Sequence, residues 1–314
     1  MVADFMSADY GWLRSPDGKE SARVYFSAGK GKDGYFENKD ILAQAHRAMD
    51  ILAKHYPDED HILIYDNTTT HRKRAEDALS ATKMPKGPSP NFFLEVNVLD
   101  EKGNHLYDQH GKYLKKKIKM GNAKFNDGKE QELYFPDNLS PNHPDYEHRG
   151  KFKGIARLLK ERGLPHTMKL QCDPNTLKKC PPGQEYCCCR RALYSQPDFV
   201  NYPSLLETEA KKRGFLVVFL PKFHCELNPI EQCWGYAKRV YRLCPPSSKP
   251  EDLAKNVHDS LKAVPMESMR SLRFMDAYRK GLNGNQAAWA ARKYCGHCVI
   301  PDNILQELDK HNIH

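Results

Sequence analysis

The apolar positions change period along this chain, and each change marks an element. "MVADFM" (1–6) and "ARVYFSAG" (22–29) carry the β-branched and aromatic content of strands, with Ser15-Pro16-Asp17-Gly18 as a turn between them. From Asn38 to Tyr56 the spacing becomes helical, with Ile41, Leu42, Ala45, Ala48, Met49, Leu52 and Ala53 on one face. "HILIY" (61–65) is then a short unbroken apolar run, which predicts a strand buried on both faces. It stops on Asp66 and Asn67. Strand, strand, helix, strand opens an α/β domain.

Beyond Arg74 the periodicity fades. Residues 84–145 are rich in Pro, Gly, Asn, Asp and Lys, with "NFFLEVNVL" (91–99) and "QELYF" (131–135) as strands of a β-rich insertion and Asp100–Gly103 and Asp108–Gly111 as turns. Helices are expected near 150–162, ended by Gly163, and at 203–213. "FLVVFL" (215–220) reads as a second buried strand, and the rest as helical pieces at 229–243, 250–263, 266–281 and 285–294. The implied organisation is an α/β core formed by residues 1–71 and 146–243, an insertion at 72–145, a cysteine-rich segment at 165–202 and a helical region at 244–314. No internal repeat is visible.

Composition narrows the functional classes. With 39% hydrophobic and 28% charged residues and a mean hydropathy of −0.75, the chain can build a core under a polar surface. Its longest apolar run, 215–220, is far too short to span a bilayer, and the N-terminus lacks the basic-then-apolar layout of a secretory signal. The ten cysteines are therefore expected as thiols or metal ligands rather than disulfides. A net charge of +9 leans toward anionic partners. "KYLKKKIKM" (112–120) suits contact with phosphates and equally suits a strand edge guarded by lysines.

Five cysteines, Cys172, Cys180, Cys187, Cys188 and Cys189, crowd one segment. Cys172, Cys180, Cys187 and Cys189 are the candidate ligands of a structural Zn²⁺. No Cys-x2-Cys pair occurs there, so free thiols in a tight loop remain the alternative. "CGHC" (295–298) is either a redox or zinc half-motif or an incidental exposed pair.

The stretch "FLVVFLPKFHCELNPIEQCWGYAKRVYRL" (215–243) is the most informative. A strand ends at Pro221, and a helix begins with Asn228 as N-cap and Pro229 in its first turn. Ile230, Cys233, Trp234, Ala237, Val240 and Tyr241 form its apolar arc. Glu231, Lys238 and Arg242 fall on one stripe, a carboxylate with two cations behind it, which suits a metal ion bound beside a phosphate backbone. The competing reading makes Asn228 and Glu231 a capping box and Asp66 a turn residue. His224 either acts near such a site or lines the loop.

Taken together, "IYDNTTTH" (64–71), "LPKFHCELNPIEQCW" (220–234), "CCCRR" (187–191) and "YSQPDFVNYPSLL" (194–206) give the chain a resemblance to the mariner-type DDE transposases of eukaryotic mobile elements, closest to a fungal branch with a long insertion. The resemblance implies an RNase H-like mixed sheet flanked by helices. It also implies two Mg²⁺ or Mn²⁺ ions held between three carboxylates, phosphoryl transfer on double-stranded DNA, a nuclear location and a homodimer. On that basis Asp66 corresponds to the second carboxylate, with Asn67 and His71 supporting it. Glu231 corresponds to the third, after the Asn228-Pro-Ile-Glu loop, while Lys238 and Arg242 would contact phosphates.

One departure tempers the resemblance. The family's first Asp lies on an opening strand upstream of the segment that resembles "MVADFMSADYGWL", and here that segment begins at Met1. Asp4 and Asp9 are the nearest stand-ins. The expectation is a weakly bound single ion and slow or absent strand cleavage, because a two-ion site needs carboxylates on both sides. A non-catalytic DNA-binding remnant is the alternative, and a zinc-stabilised interaction module is a third.

Overall fold

The computed structural model describes all residues except 8–9, 30, 102, 104, 174–179, 225–226, 266–271, 295–299, 312 and 314, together with the side chains of 272–275. In chain order the strands are β1 (Val2–Ala3), β2 (Met6–Ser7), β3 (Gly11–Trp12), β4 (Val24–Tyr25), β5 (Ile62–Tyr65), β6 (Leu94–Asn97), β7 (Lys115–Ile118), β8 (Ala123–Lys124), β9 (Glu130–Gln131) and β10 (Leu216–Phe219). The helices are α1 (Asn38–His55), α2 (Ile155–Glu161), α3 (Cys189–Tyr194), α4 (Pro197–Val200), α5 (Leu205–Lys212), α6 (Pro229–Arg242), α7 (Pro250–Lys262), α8 (Leu272–Arg279), α9 (Gly284–Lys293) and α10 (Ile304–Lys310). The architecture is mixed α/β, and its sheets are small two-stranded ones. Among the described residues no helix is long and apolar enough to cross a membrane.

The chain divides into two compact units, Met1–Lys73 with Leu205–His314, and Arg74–Ser204. In the first, β1 pairs with β4, β2 with β3, and β5 with β10. The last pair is parallel, with Ile62 opposite Leu216 and Tyr65 opposite Phe219. The buried face of α1, led by Ile41, Ala45, Ala48, Met49 and Leu52, packs with Leu63, Tyr65, Val217 and with Leu206 and Ala210 of α5. Only this face of the pair is covered. Ile62, Ile64, Leu216 and Val218 alternate outward and are 41–57% exposed. The expectation of two strands buried on both faces is thus corrected: an unbroken apolar run hides its period, whereas the helices α1 and α5 cover one side.

α6 and α7 build a second cluster in this unit, in which Ile230, Cys233, Ala237 and Leu261 pack with Trp12, whose Nε1 donates to the Leu261 carbonyl at 3.1 Å. Helices α8 to α10 enclose a third around Ala277, Ala287, Ile304 and Leu308. α10 had no counterpart in the sequence reading.

The second unit holds the two antiparallel pairs β6–β7 and β8–β9 and the helices α2 to α4. Its core joins Phe92, Met120, Leu133 and Phe152 to Ile155, Leu158, Leu159 and Leu193. Residues 146–204, read from sequence as part of the first core, therefore belong with the insertion, because α2 and α3 bury their apolar faces among the insertion's own side chains. α2 also starts later than expected. Gly154 has φ +87°, and a β-carbon there would lie 2.6 Å from the Gly87 carbonyl oxygen, while Ile155 and Ala156 donate to the carbonyls of Pro85 and Lys86 at 3.0 Å. At the far end of α2, Arg162 grips Asp198 with two bonds of 2.9 and 2.8 Å and Gln131 with a third of 2.8 Å. That bidentate pair is nearly fully buried.

Candidate functional site

Parallel pairing sends β5 and β10 out of the sheet at the same end, and the Leu220 amide extends the ladder to the Tyr65 carbonyl at 2.9 Å. Crevices at the carboxyl ends of parallel strands are where α/β folds place their ligands. Here β5 delivers Asp66, and β10 leads through residues 220–228 to α6. Within that loop Phe223 has φ +66° and is 97% exposed, a backbone conformation that costs a non-glycine residue about 1–3 kcal/mol.

The two predicted acidic segments meet through Asn228. Its Nδ2 donates to Asp66 Oδ1 at 2.9 Å, and its Oδ1 accepts from the Ile230 amide at 3.4 Å. One amide therefore caps α6 and ties that cap to the end of β5. The capping box expected as the alternative for Glu231 does not form: the Glu231 amide reaches the Asn228 carbonyl at 3.1 Å, but no bond returns from the Glu231 side chain to the Asn228 amide. Among the described residues the Glu231 carboxylate has neither a hydrogen bond nor an ion pair.

His71 supports the turn rather than the carboxylate. Its Nδ1–H donates to the Asp66 carbonyl at 2.9 Å, and its ring meets Tyr65 edge-on at 5.1 Å. The Thr68 amide returns to the same carbonyl at 2.9 Å. Asn67 is half-buried beside this turn. Desolvation raises the Tyr65 phenol far above its usual range, and its hydroxyl has no partner among the described residues. Lys238 and Arg242 are exposed on α6, about 10 and 16 Å along the axis from Glu231 at 1.5 Å per residue. Arg72 lies over the Phe219 ring at 5.2 Å and adds a cation that sequence reasoning passed over. His224 meets Tyr278 edge-on and lines its loop.

Asp4 does not complete this edge. Its carboxylate is fully buried in an ion pair with Arg23 and accepts the Phe5 amide. Asp9, Cys225 and the "CGHC" segment lie outside the described residues. The carboxylates of Asp66 and Glu231 are the donor type that Mg²⁺ prefers, while the Asn228 amide is already spent on Asp66 and Ile230. Among the described residues no group of three or more acidic or imidazole side chains gathers at this edge, as a two-ion site would need.

A separate cluster occupies the second unit. The sulfurs of Cys172, Cys180, Cys187 and Cys188 all lie within 4.8 Å of one another and could hold a metal ion. The expected set is corrected at one position. Cys188 belongs and Cys189 does not, because adjacent side chains at the start of α3 diverge. The Cys189 sulfur donates to the carbonyls of His166 and Met168 at 3.6 and 3.3 Å. Desolvation, with hydrogen bonds to Cys172 and Cys180, pushes the Cys187 thiol up to about 12. Desolvation raises Cys180 too, yet hydrogen bonds with Cys187, Arg191, Cys172 and Cys188 outweigh it and leave that thiol below its ordinary value.

Compared with known proteins, the chain matches no family model, no curated protein and no solved structure.

Proposed function

We propose that this chain is a DNA-binding protein of the DDE transposase type, with an RNase H-like first unit in which Asp66 and Glu231 hold a single Mg²⁺ or Mn²⁺. The observation that carries the reading is the Asn228–Asp66 hydrogen bond, which joins the end of β5 to the cap of the helix bearing Glu231. Bound there, the ion would polarise a phosphoryl oxygen as a Lewis acid. The chain's own residues do the rest. Asn228 fixes one oxygen of Asp66 and leaves the other available, and His71 holds the turn that aims it. Lys238, Arg242 and Arg72 supply positive charge for the phosphate backbone. On this reading the protein acts on DNA in the nucleus, as a homodimer. The four-cysteine cluster takes no part in this chemistry, and a zinc ion there would be structural.

The engagement of Asp4 by Arg23 favours binding over cleavage. The expected behaviour is salt-sensitive DNA binding, Mn²⁺ binding that disappears in both Asp66→Ala and Glu231→Ala, and plasmid nicking that is slow or undetectable in the intact chain. Mn²⁺ affinity unchanged in both variants would sink the shared site. DNA binding insensitive to salt would sink the partner.

A further inference from the structure

We propose that Cys172, Cys180, Cys187 and Cys188 form a structural zinc–thiolate site that fastens the cysteine-rich segment of the second unit. The spacing carries the argument. Zn–S bonds of about 2.3 Å at tetrahedral angles place sulfurs about 3.8 Å apart. The Cys180 and Cys188 sulfurs are 4.0 Å apart, and no pair in the set exceeds 4.8 Å. A disulfide would bring two sulfurs to about 2.05 Å, and all four are free thiols. Weak S–H hydrogen bonds account for contacts taken singly. They give no reason for four sulfurs, from three places in the sequence, to converge on one point.

The donor chemistry names the ion class. An all-thiolate tetrahedral set selects zinc or iron over hard cations such as Mg²⁺ or Ca²⁺. Four thiolates around Zn²⁺ leave a surplus of negative charge, and the nearby Arg191 guanidinium already favours the anionic form of Cys180. The surrounding backbone shows what the ion would secure. The amides of Cys189 and Arg190 donate to the carbonyls of Lys169 and Leu170 at 3.0 Å, so the chain before Cys172 already runs against the start of α3. Ala192 and Leu193 of that helix are buried in the core. Zinc would close the loops between Cys172, Cys180 and Cys187, and so hold α3 in its seat. Binding free energy at such a site is folding free energy.

The test uses the full chain purified under reducing conditions. Elemental analysis should find one zinc per chain, and titration with a mercurial reagent should release it in step with modification of four of the ten cysteines. Cys187→Ser and Cys188→Ser should each reduce zinc to background, whereas Cys189→Ser should keep it in full. Should those variants fail to fold, Co²⁺ added to the metal-free wild-type chain should give the intense thiolate charge-transfer and visible bands of tetrahedral CoS₄. Three results would overturn the proposal: stoichiometric iron in place of zinc, reduced protein that takes up neither Zn²⁺ nor Co²⁺ with those spectra, or zinc lost from Cys189→Ser but retained by Cys188→Ser.

Discussion

Phe152, Ile155, Leu158 and Leu159 of the second unit are sealed from water, and the Arg162–Asp198 ion pair there is nearly buried as well. In the first unit every other residue of β5 and β10 faces solvent, and Asp66 and Glu231 stand beside that open sheet. Both units draw on similar apolar residues, yet the second closes over them around α2, while the β5–β10 pair of the first leaves a face and an edge available. Exposed apolar surface beside the carboxylates of Asp66, held by Asn228 through one oxygen, and Glu231 is the arrangement expected of a region that binds something. The interior beside α2 shows the opposite logic, in which buried polar groups are matched inside the protein. Gln131 illustrates it, since its amide nitrogen donates to the Leu158 carbonyl and to Glu161 while its oxygen takes Arg162.

The sharpest way to break this contrast is at Gly154. An alanine there must hold φ +87° with ψ 146°, a region essentially reserved for glycine, about 1–3 kcal/mol, and press its β-carbon against the Gly87 backbone, a further 1–3 kcal/mol or so. Gly154→Ala should therefore destabilise the second unit by about 2–6 kcal/mol. Hydrogen exchange should show amides of 155–161 losing protection while those of α1 keep theirs. Equal loss in both units would mean that they do not unfold separately.

A smaller effect tests the open face itself, using two neighbours on one strand. Leu63 is 5% exposed and Ile64 is 53% exposed. Leu63→Ala should cost about 2–4 kcal/mol, and Ile64→Thr should stay within about 0.5 kcal/mol, both read from urea midpoints. An Ile64→Thr variant as damaged as Leu63→Ala would show that something covers the outer face in solution.

What the letters revealed follows from what is local. α1, α6 and α7 were legible to within a residue or so because helical periodicity and the Asn228-Pro229 cap are short-range signals. The end of β5, just before Asp66, was legible as well, while β10 stops at Phe219, short of the expected Pro221. The outward face of β5 was not, because Ile62 and Ile64 look like core residues until the sheet's partners are known. Neither was the choice of Cys188 over Cys189, which depends on the direction of two successive side chains at a helix start. The Asn228–Asp66 bond joins residues 162 positions apart, and no spacing rule reaches so far. Phe223 gave no sign at all, since a left-handed backbone at a bulky residue is not written in its identity.

The weakest expected effect bears on why the first unit offers two carboxylates rather than three. Desolvation raises the Asp4 carboxyl above its ordinary value of 3.8, although Arg23 pulls it down. In the unfolded chain the same group titrates normally. Between the two values the folded protein keeps a proton that the unfolded chain has lost, so this group's contribution falls as pH rises through that window and is level above it. Other carboxylates, such as Glu20 held low by Lys54 and His55, slope the opposite way and would mask the trend in the wild type alone. Subtracting the stability of Asp4→Asn removes them. That difference, measured by urea unfolding from about pH 3 to 6, should decrease with pH. A difference that grows instead would mean that Arg23 overrides burial. Asp4 would then be a well-stabilised anion, held by its partner even more firmly than its geometry implies and still further from serving a metal ion.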